Sequence, residues 1–293
     1  MAQYGSEVYQ NYDKPHQIEK KRLSGAKTIS EAARETKVVR EADVIVVGGG
    51  PGGIAAAVSA ARAGAKTILI ERYGHLGGMS TGGLVNIIPN LSSIYGEQLI
   101  GGFCQEVITR LASRGAACFP EKRYWGSDDP ATVDKYLKAN MMHFYIRKNQ
   151  DKKYVVLYTA VIDPEVAKDE LNTMVLESGA ELLLQTWVTE PVMDGRTIKG
   201  VIVENKSGRQ ALLGKIVIDC SGDGDLLPGA GVETTDYMVP GSRIAQLGYV
   251  YWICGVDLDK YERFKDSEPD TFACVVEKIT KLGGSPRFSK GLL

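Results

Sequence analysis

Residues 1–40 are polar and mixed in charge, and the pattern breaks at the stretch ADVIVVGGGPGGIAAA, residues 42–57. The apolar, β-branched run at 43–47 has no polar alternation, which predicts a strand buried on both faces of a parallel sheet. It stops at glycine. The following GGIAAAVSAARAG predicts a thin helix, opened by Pro51 near its first position and closed by Gly64. KTILIER supplies a second buried strand at 66–70. Farther on, Asp163 and Pro164 open a helix that Gly179 stops, and ELLLQTWV predicts one strand over 181–188. The turn signals MDGR at 193–196 and NKSGR at 205–209 separate short alternating strands, a hairpin meander. KIVIDC then returns as an apolar, parallel-type strand ending in glycine. GYVYWICGV, 248–256, alternates as a strand would, with Tyr249, Tyr251 and Ile253 on one face and Val250, Trp252 and Cys254 on the other.

The strand–glycine–helix order gives the first turn a chemistry. Gly48, Gly50 and Gly53 match G-x-G-x-x-G, with Pro51 and Gly52 between them. The first glycine allows the tight turn, the second lets a pyrophosphate approach the backbone, and the third lets the helix lie close to the strand. A helix so placed aims its free N–H groups and positive dipole end at phosphate. Glu71 lies about twenty residues downstream, where this fingerprint places a ribose-binding acid. A carboxylate there accepts from both ribose hydroxyls and repels a 2′-phosphate, which disfavours NADP. FAD and NAD share the ADP half, so the choice comes from the next segment. ERYGHLGGMSTGGLVN sets Gly77, Gly78, Gly82 and Gly83 around Met79, Ser80 and Thr81. Such a segment permits close backbone approach and suits the second phosphate and ring contact that FAD, the longer ligand, requires.

With these residues in place, the chain resembles the FAD-dependent oxidoreductases of the glutathione reductase structural class, the two-dinucleotide-fold flavoproteins. The resemblance runs through ARETKVVREADVIVVGGGPGGIAAAVSAARAGAKTILIERYGHLGGMSTGGLV, IDPEVAKDELNTMVLESGAELLLQTWV and VIVENKSGRQALLGKIVIDCSGDGDLLPGAG. It implies that Gly48, Gly50 and Gly53 hold the pyrophosphate, Glu71 the adenosine ribose and Arg72 the adenosine side. Gly77, Gly78, Met79, Ser80 and Thr81 would run toward the flavin ring. Trp187 and Val188 would meet adenine through the Val188 backbone, and Gly222 and Asp223 would lie near the cofactor. The expected fold is α/β: a Rossmann-like FAD-binding domain, its parallel sheet carrying a β-meander insertion, plus the start of a smaller, incomplete substrate domain. The expected divisions are a polar arm (1–40), the FAD-binding domain (41–90 and 161–235), a helical insertion (91–160) and a partial substrate domain (236–293). The class has a closing strand and helix after the SGDGD region, and this sequence shows no second glycine-rich return motif. Three explanations stay open: a fragment of a longer chain, a naturally split enzyme in which a second polypeptide, within an oligomer, completes the flavin site, or an unusually compact version.

Composition narrows the rest. The net charge is −1, with 35 basic and 36 acidic residues, so no electrostatic excess favours nucleic acid or anionic lipid. No apolar stretch reaches the length of a membrane helix, and the N-terminal arm lacks a secretory core, so a cytoplasmic location is expected. The five cysteines form no C-x-x-C pair and the three histidines are scattered, so no metal site is indicated. The expected chemistry is hydride transfer between a small organic substrate and flavin N5, as a dehydrogenase or oxidase. The rival readings are a non-catalytic FAD-carrying subunit, a flavin enzyme catalysing a non-redox isomerisation, and an NAD-only dehydrogenase. His75 could face the isoalloxazine or carry it covalently, and a surface histidine before a glycine turn is the plainer reading. Asn86, Ser92, Ser93 and Tyr95 could line a substrate face or form an ordinary hydrogen-bonded loop. The sequence does not single out a catalytic base.

Overall fold

The computed structural model describes residues 27–138, 146–151 and 153–233, and a few isolated positions between 250 and 281. Of the alternating segment at 248–256, residues 248, 249, 251 and 253 lie outside the described residues, and Val250, Trp252 and Cys254 carry no regular structure.

Two compact units divide the chain: residues 1–78 with 171–249, and residues 79–170 with 250–293. The first is built on β1 (Val38–Val47), α1 (Pro51–Arg62) and β2 (Thr67–Ile70). Val44 to Val47 pair in parallel with Thr67 to Ile70, the expected strand–helix–strand arrangement. β1 begins five residues earlier than the apolar run, because its polar N-terminal half also pairs with a later strand. Its burial follows the neighbours: the first half is largely exposed and the last four residues are buried.

The second unit holds β3 (Ile87–Ile88), α2 (Gly102–Ser113), β4 (Ala117–Cys118), α3 (Pro130–Lys138), β5 (Ile146–Lys148), β6 (Tyr154–Val156) and β7 (Ala160–Ile162). β3, β7 and β4 make a small antiparallel sheet, and β5 pairs with β6. Tyr158 is fully buried here, its ring stacked on Trp125 with centroids 4.2 Å apart.

α4 (Pro164–Glu177) starts and stops where Asp163 and Gly179 predict; Asp163 Oδ1 caps it by accepting from the Glu165 and Val166 amides. The single strand expected over 181–188 is two strands. β8 (Glu181–Leu183) pairs in parallel with β2, and β9 (Trp187–Asp194) belongs to the meander. The break is caused by Gln185, whose backbone is left-handed (φ 50°). The Gln185 amide donates to the Tyr73 carbonyl and the Thr186 amide to that of Glu71, both at 3.0 Å, turning the chain out of the parallel ladder. Trp187 and Val188 therefore open a strand instead of ending one.

β10 (Thr197–Asn205) and β11 (Gly208–Asp219) complete a six-stranded sheet of order β8-β2-β1-β11-β10-β9. β9 is an edge strand, which accommodates Pro191. β11 serves two ladders. Gly208 to Leu213 pair antiparallel with β10, and Ala211 to Asp219 run parallel to β1. The core of this unit joins Ile45, Val47, Ile68 and Ile70 to Val201, Val203, Leu212 and Leu226. Val44 and Val46 point to the opposite face by strand alternation, the side on which α1 buries Ile54, Ala57 and Val58.

Candidate functional site

At the end of β1, Gly48 adopts φ 97°, and its amide donates to the Ile70 carbonyl at 2.8 Å. A side chain at Gly48 would place Cβ 2.3 Å from the Cys220 carbonyl, and one at Gly53 would place it 1.8 Å from the Gly48 carbonyl. These two glycines are required by the protein's own packing. Gly50 is different: its backbone is extended (φ −73°), and a Cβ there meets nothing within 4 Å. Neither conformation nor packing demands glycine at 50, and the space in front of it is open. The same holds for Gly52, exposed beside Pro51 in the first turn of α1. No side chain caps α1 and no acid occupies its first turn, although the amides there lack helical acceptors. Open space, uncapped amides and a positive dipole end fit a pyrophosphate.

Gly77 and Gly78 lie against this turn. The Gly77 amide donates to the Gly49 carbonyl at 2.8 Å, and a Cβ on Gly78 would come within 3.0 Å of the Gly50 Cα. Met79, Ser80 and Thr81 open the second unit; the Met79 side chain is exposed and Thr81 is fully buried.

Glu71 is buried, and its carboxylate is held by backbone. Oε2 accepts from the Gly49 amide at 2.6 Å and Oε1 from the Tyr73 amide at 2.8 Å. Each oxygen keeps further acceptor capacity. The acid thus ties the glycine turn to the end of β2, a role its spacing alone does not reveal. Beside it an open crevice of about 340 Å³, counting solvent at its mouth, is lined by Gly48, Glu71, Arg72, Trp187, Val188 and Asp225, among others. The Arg72 guanidinium lies 5.0 Å from the Tyr73 ring centroid and 5.3 Å from that of Trp187.

The turn after β11 is closed on itself. Asp219 accepts from the Ser221 amide (2.9 Å) through Oδ1 and from the Leu226 amide (3.0 Å) through Oδ2, while Ser221 Oγ accepts from the Asp225 amide. Gly222 and Asp223 are exposed on this turn, and the crevice lining comes from Ser221 and Asp225 instead. Ser221 and Asp225, the first and last residues of SGDGD, and Thr186, which directly precedes Trp187, also line the crevice, although the sequence points only to their neighbours Gly222, Asp223 and Trp187. Burial, then the Asp219 charge, push the Cys220 thiol up, so it stays protonated at neutral pH.

His75 is half-buried, its ring stacked on Tyr73 (5.8 Å between centroids, 6° between planes) and Nδ1 3.3 Å from the Leu76 carbonyl oxygen. One ring face and one nitrogen thus have protein neighbours, as in a structural histidine. In the second unit Asn86 donates to the Ile162 carbonyl, Ser92 Oγ accepts from the Tyr158 amide, and Ser93 Oγ accepts from the Tyr95 and Glu97 amides. These are the contacts of an ordinary hydrogen-bonded loop. Among the described residues no His, Cys, Asp and Glu cluster could hold a metal, and no helix is long and apolar enough to cross a membrane.

A family model described as FAD dependent oxidoreductase matches residues 43–257. The chain is similar to the mitochondrial dihydrolipoyl dehydrogenase of Dictyostelium discoideum, 31% identical over 97 residues that make up 33% of this chain and 18% of that protein. It is also similar to the leghemoglobin reductase of Glycine max, 44% identical over 59 residues, 20% of this chain and 11% of that one. The chain thus matches less than a fifth of the length of either relative. Among solved structures it is similar to a geranylgeranyl bacteriochlorophyll reductase-like protein from Thermoplasma acidophilum. The identity is 19% and the TM-score 0.44, covering 68% of this chain and 43% of the other.

Proposed function

Since the chain belongs to the FAD dependent oxidoreductase family, we propose that it holds FAD along the glycine turn and the adjoining crevice and oxidises or reduces a small organic substrate. The observation that carries this reading is the open space at Gly50, a glycine that no protein atom requires. The amides of the first turn of α1 would receive the pyrophosphate, with Gly48 and Gly53 keeping strand and helix close enough to present them. Glu71, already fixed by two amides, would accept from the ribose hydroxyls. Arg72, Trp187 and the Val188 backbone would bound the adenosine end. Residues 77–81 would continue toward the ring, and Gly222 and Asp223 would lie at the cofactor's flank. Bound FAD supplies the hydride-accepting flavin N5.

A second observation favours a reading in which this chain works as one subunit, completed by another polypeptide. Among the described residues, the second half of β11, residues 214–219, has a strand partner only on the β1 side, and Ile216 there is 57% exposed. An apolar strand edge of this kind suits cover by a further segment.

The test is to purify the chain with whatever accompanies it, release the ligand by heat and identify it by mass spectrometry. FAD is the expected ligand; NAD or no nucleotide overturns the proposal. Anaerobic addition of candidate substrates then separates redox chemistry, which bleaches the flavin band, from isomerisation, which leaves it. A co-purifying polypeptide that alone restores turnover would make this chain the cofactor carrier.

A further inference from the structure

The crevice wall contains a contact that the glycine fingerprint does not explain. Arg72 follows Glu71 directly, and Trp187 comes from the start of β9, 115 positions later in the chain. The two meet because the Glu71 and Tyr73 carbonyls accept from the Thr186 and Gln185 amides, locking the two segments side by side. Tyr73 approaches the same guanidinium, and His75 stacks on Tyr73. A run of four planar groups, His75, Tyr73, Arg72 and Trp187, thus ends at the crevice. Tyr73 and Trp187 are each more than half exposed (52% and 54%), so burial in the core does not account for them.

We propose that Tyr73 and Trp187 are positioning residues, which hold the Arg72 guanidinium against the crevice wall as a stacking surface for the adenine end of the nucleotide. The reasoning is one of preorganisation. A free arginine side chain samples many rotamers, and ordering it on binding opposes affinity. Two aromatic rings within cation–π range confine it beforehand, and a planar guanidinium stacks on a planar base as a lysine ammonium does not. This arrangement rests on the reading that the crevice holds FAD, and it adds what sets the affinity of its adenine end.

The experiment is calorimetric titration of the cofactor-stripped chain with ADP. Arg72→Lys, which keeps the charge but removes the planar group, is expected to weaken binding about tenfold. Trp187→Leu and Tyr73→Leu weaken it about threefold to fivefold each, and Trp187→Phe restores most of the loss. In an Arg72→Lys background, Trp187→Leu adds clearly less than the loss it causes alone, because most of the indole's effect runs through the guanidinium. The inference is overturned if the leucine variants bind ADP as tightly as the unsubstituted chain, if Phe fails to rescue, or if the Trp187 and Arg72 effects simply add. An unsubstituted chain that binds neither ADP nor FAD overturns the cofactor reading and this inference together. An unsubstituted chain that binds ADP while the variants show no change overturns this inference alone.

Discussion

Two turns leave neighbouring parallel strands of the same sheet, and they treat their backbone amides in opposite ways. After β11, Asp219 accepts from two amides of its own turn and Ser221 from a third. After β1, the turn is nearly bare: Glu71 takes the Gly49 amide, no side chain caps α1, and the space at Gly50 is open. A closed turn needs no ligand to satisfy it, whereas a turn with uncapped helix amides and open space in front of them suits an anion, as proposed for the diphosphate. The contrast also separates two uses of glycine in the first turn. Gly48 and Gly53 keep the chain out of its own way, while Gly50 leaves open the space in which the diphosphate is proposed to lie.

The sharpest break of this contrast is Gly53→Val. Its Cβ would fall 1.8 Å from the Gly48 carbonyl, and the expected loss is about 4 kcal/mol or more, read as insoluble expression or a collapsed denaturation midpoint. Gly50→Asp comes next and separates ligand from fold. Aspartate is as good an N-cap as any residue, so stability should stay within about 0.5 kcal/mol of the parent. The new carboxylate would stand where the diphosphate is proposed to lie, and FAD retention should fall about 100-fold or more by spectrophotometric titration. Unchanged retention in that variant would remove the turn from the site. Asp219→Ala opens the closed turn, leaving the Ser221 and Leu226 amides without their acceptor. About 2 kcal/mol of stability should be lost in urea denaturation, with much less change in cofactor affinity than at Gly50.

The smallest effect lies at an exposed ion pair midway along the same strand pair. Lys215 donates to Asp43 Oδ1 at 2.6 Å and the Lys66 amide to Oδ2 at 2.9 Å. The Lys215 hydrogen bond first, then the Lys66 amide, hold the Asp43 carboxyl below its ordinary value of 3.8. Its contribution is therefore complete above that value and lost as pH falls through the lowered one. Asp43→Asn should flatten the acid limb of a stability–pH curve and leave neutral-pH stability little changed, because the pair is exposed.

The open turn was legible in the sequence because every part of it is local: the β-branched run, the three glycines, Pro51 and the small-residue helix fall within twenty residues. The meander turns were equally plain from their Asp-Gly and Ser-Gly signals. What escaped was decided at a distance. The break between β8 and β9 depends on Gln185 and Thr186 bonding to the Tyr73 and Glu71 carbonyls, and ELLLQTWV contains no glycine or proline to announce it. The polar half of β1 does not read as strand because its partner is β11, far along the chain. β3, β4 and β7 are two or three residues long, too short to show a period. The Tyr73–Arg72–Trp187 contact follows from the same distant bonding.

Glu71 holds the Gly49 and Tyr73 amides through hydrogen bonds made wholly within the protein, so the loop proposed to cradle a diphosphate is shaped by the fold's own contacts. The entropy of shaping that loop is then absent from the association equilibrium. Capture should proceed with little rearrangement of the β1–α1 segment, and amide hydrogen exchange at Gly49 should be slow in cofactor-free protein and change little when FAD is added.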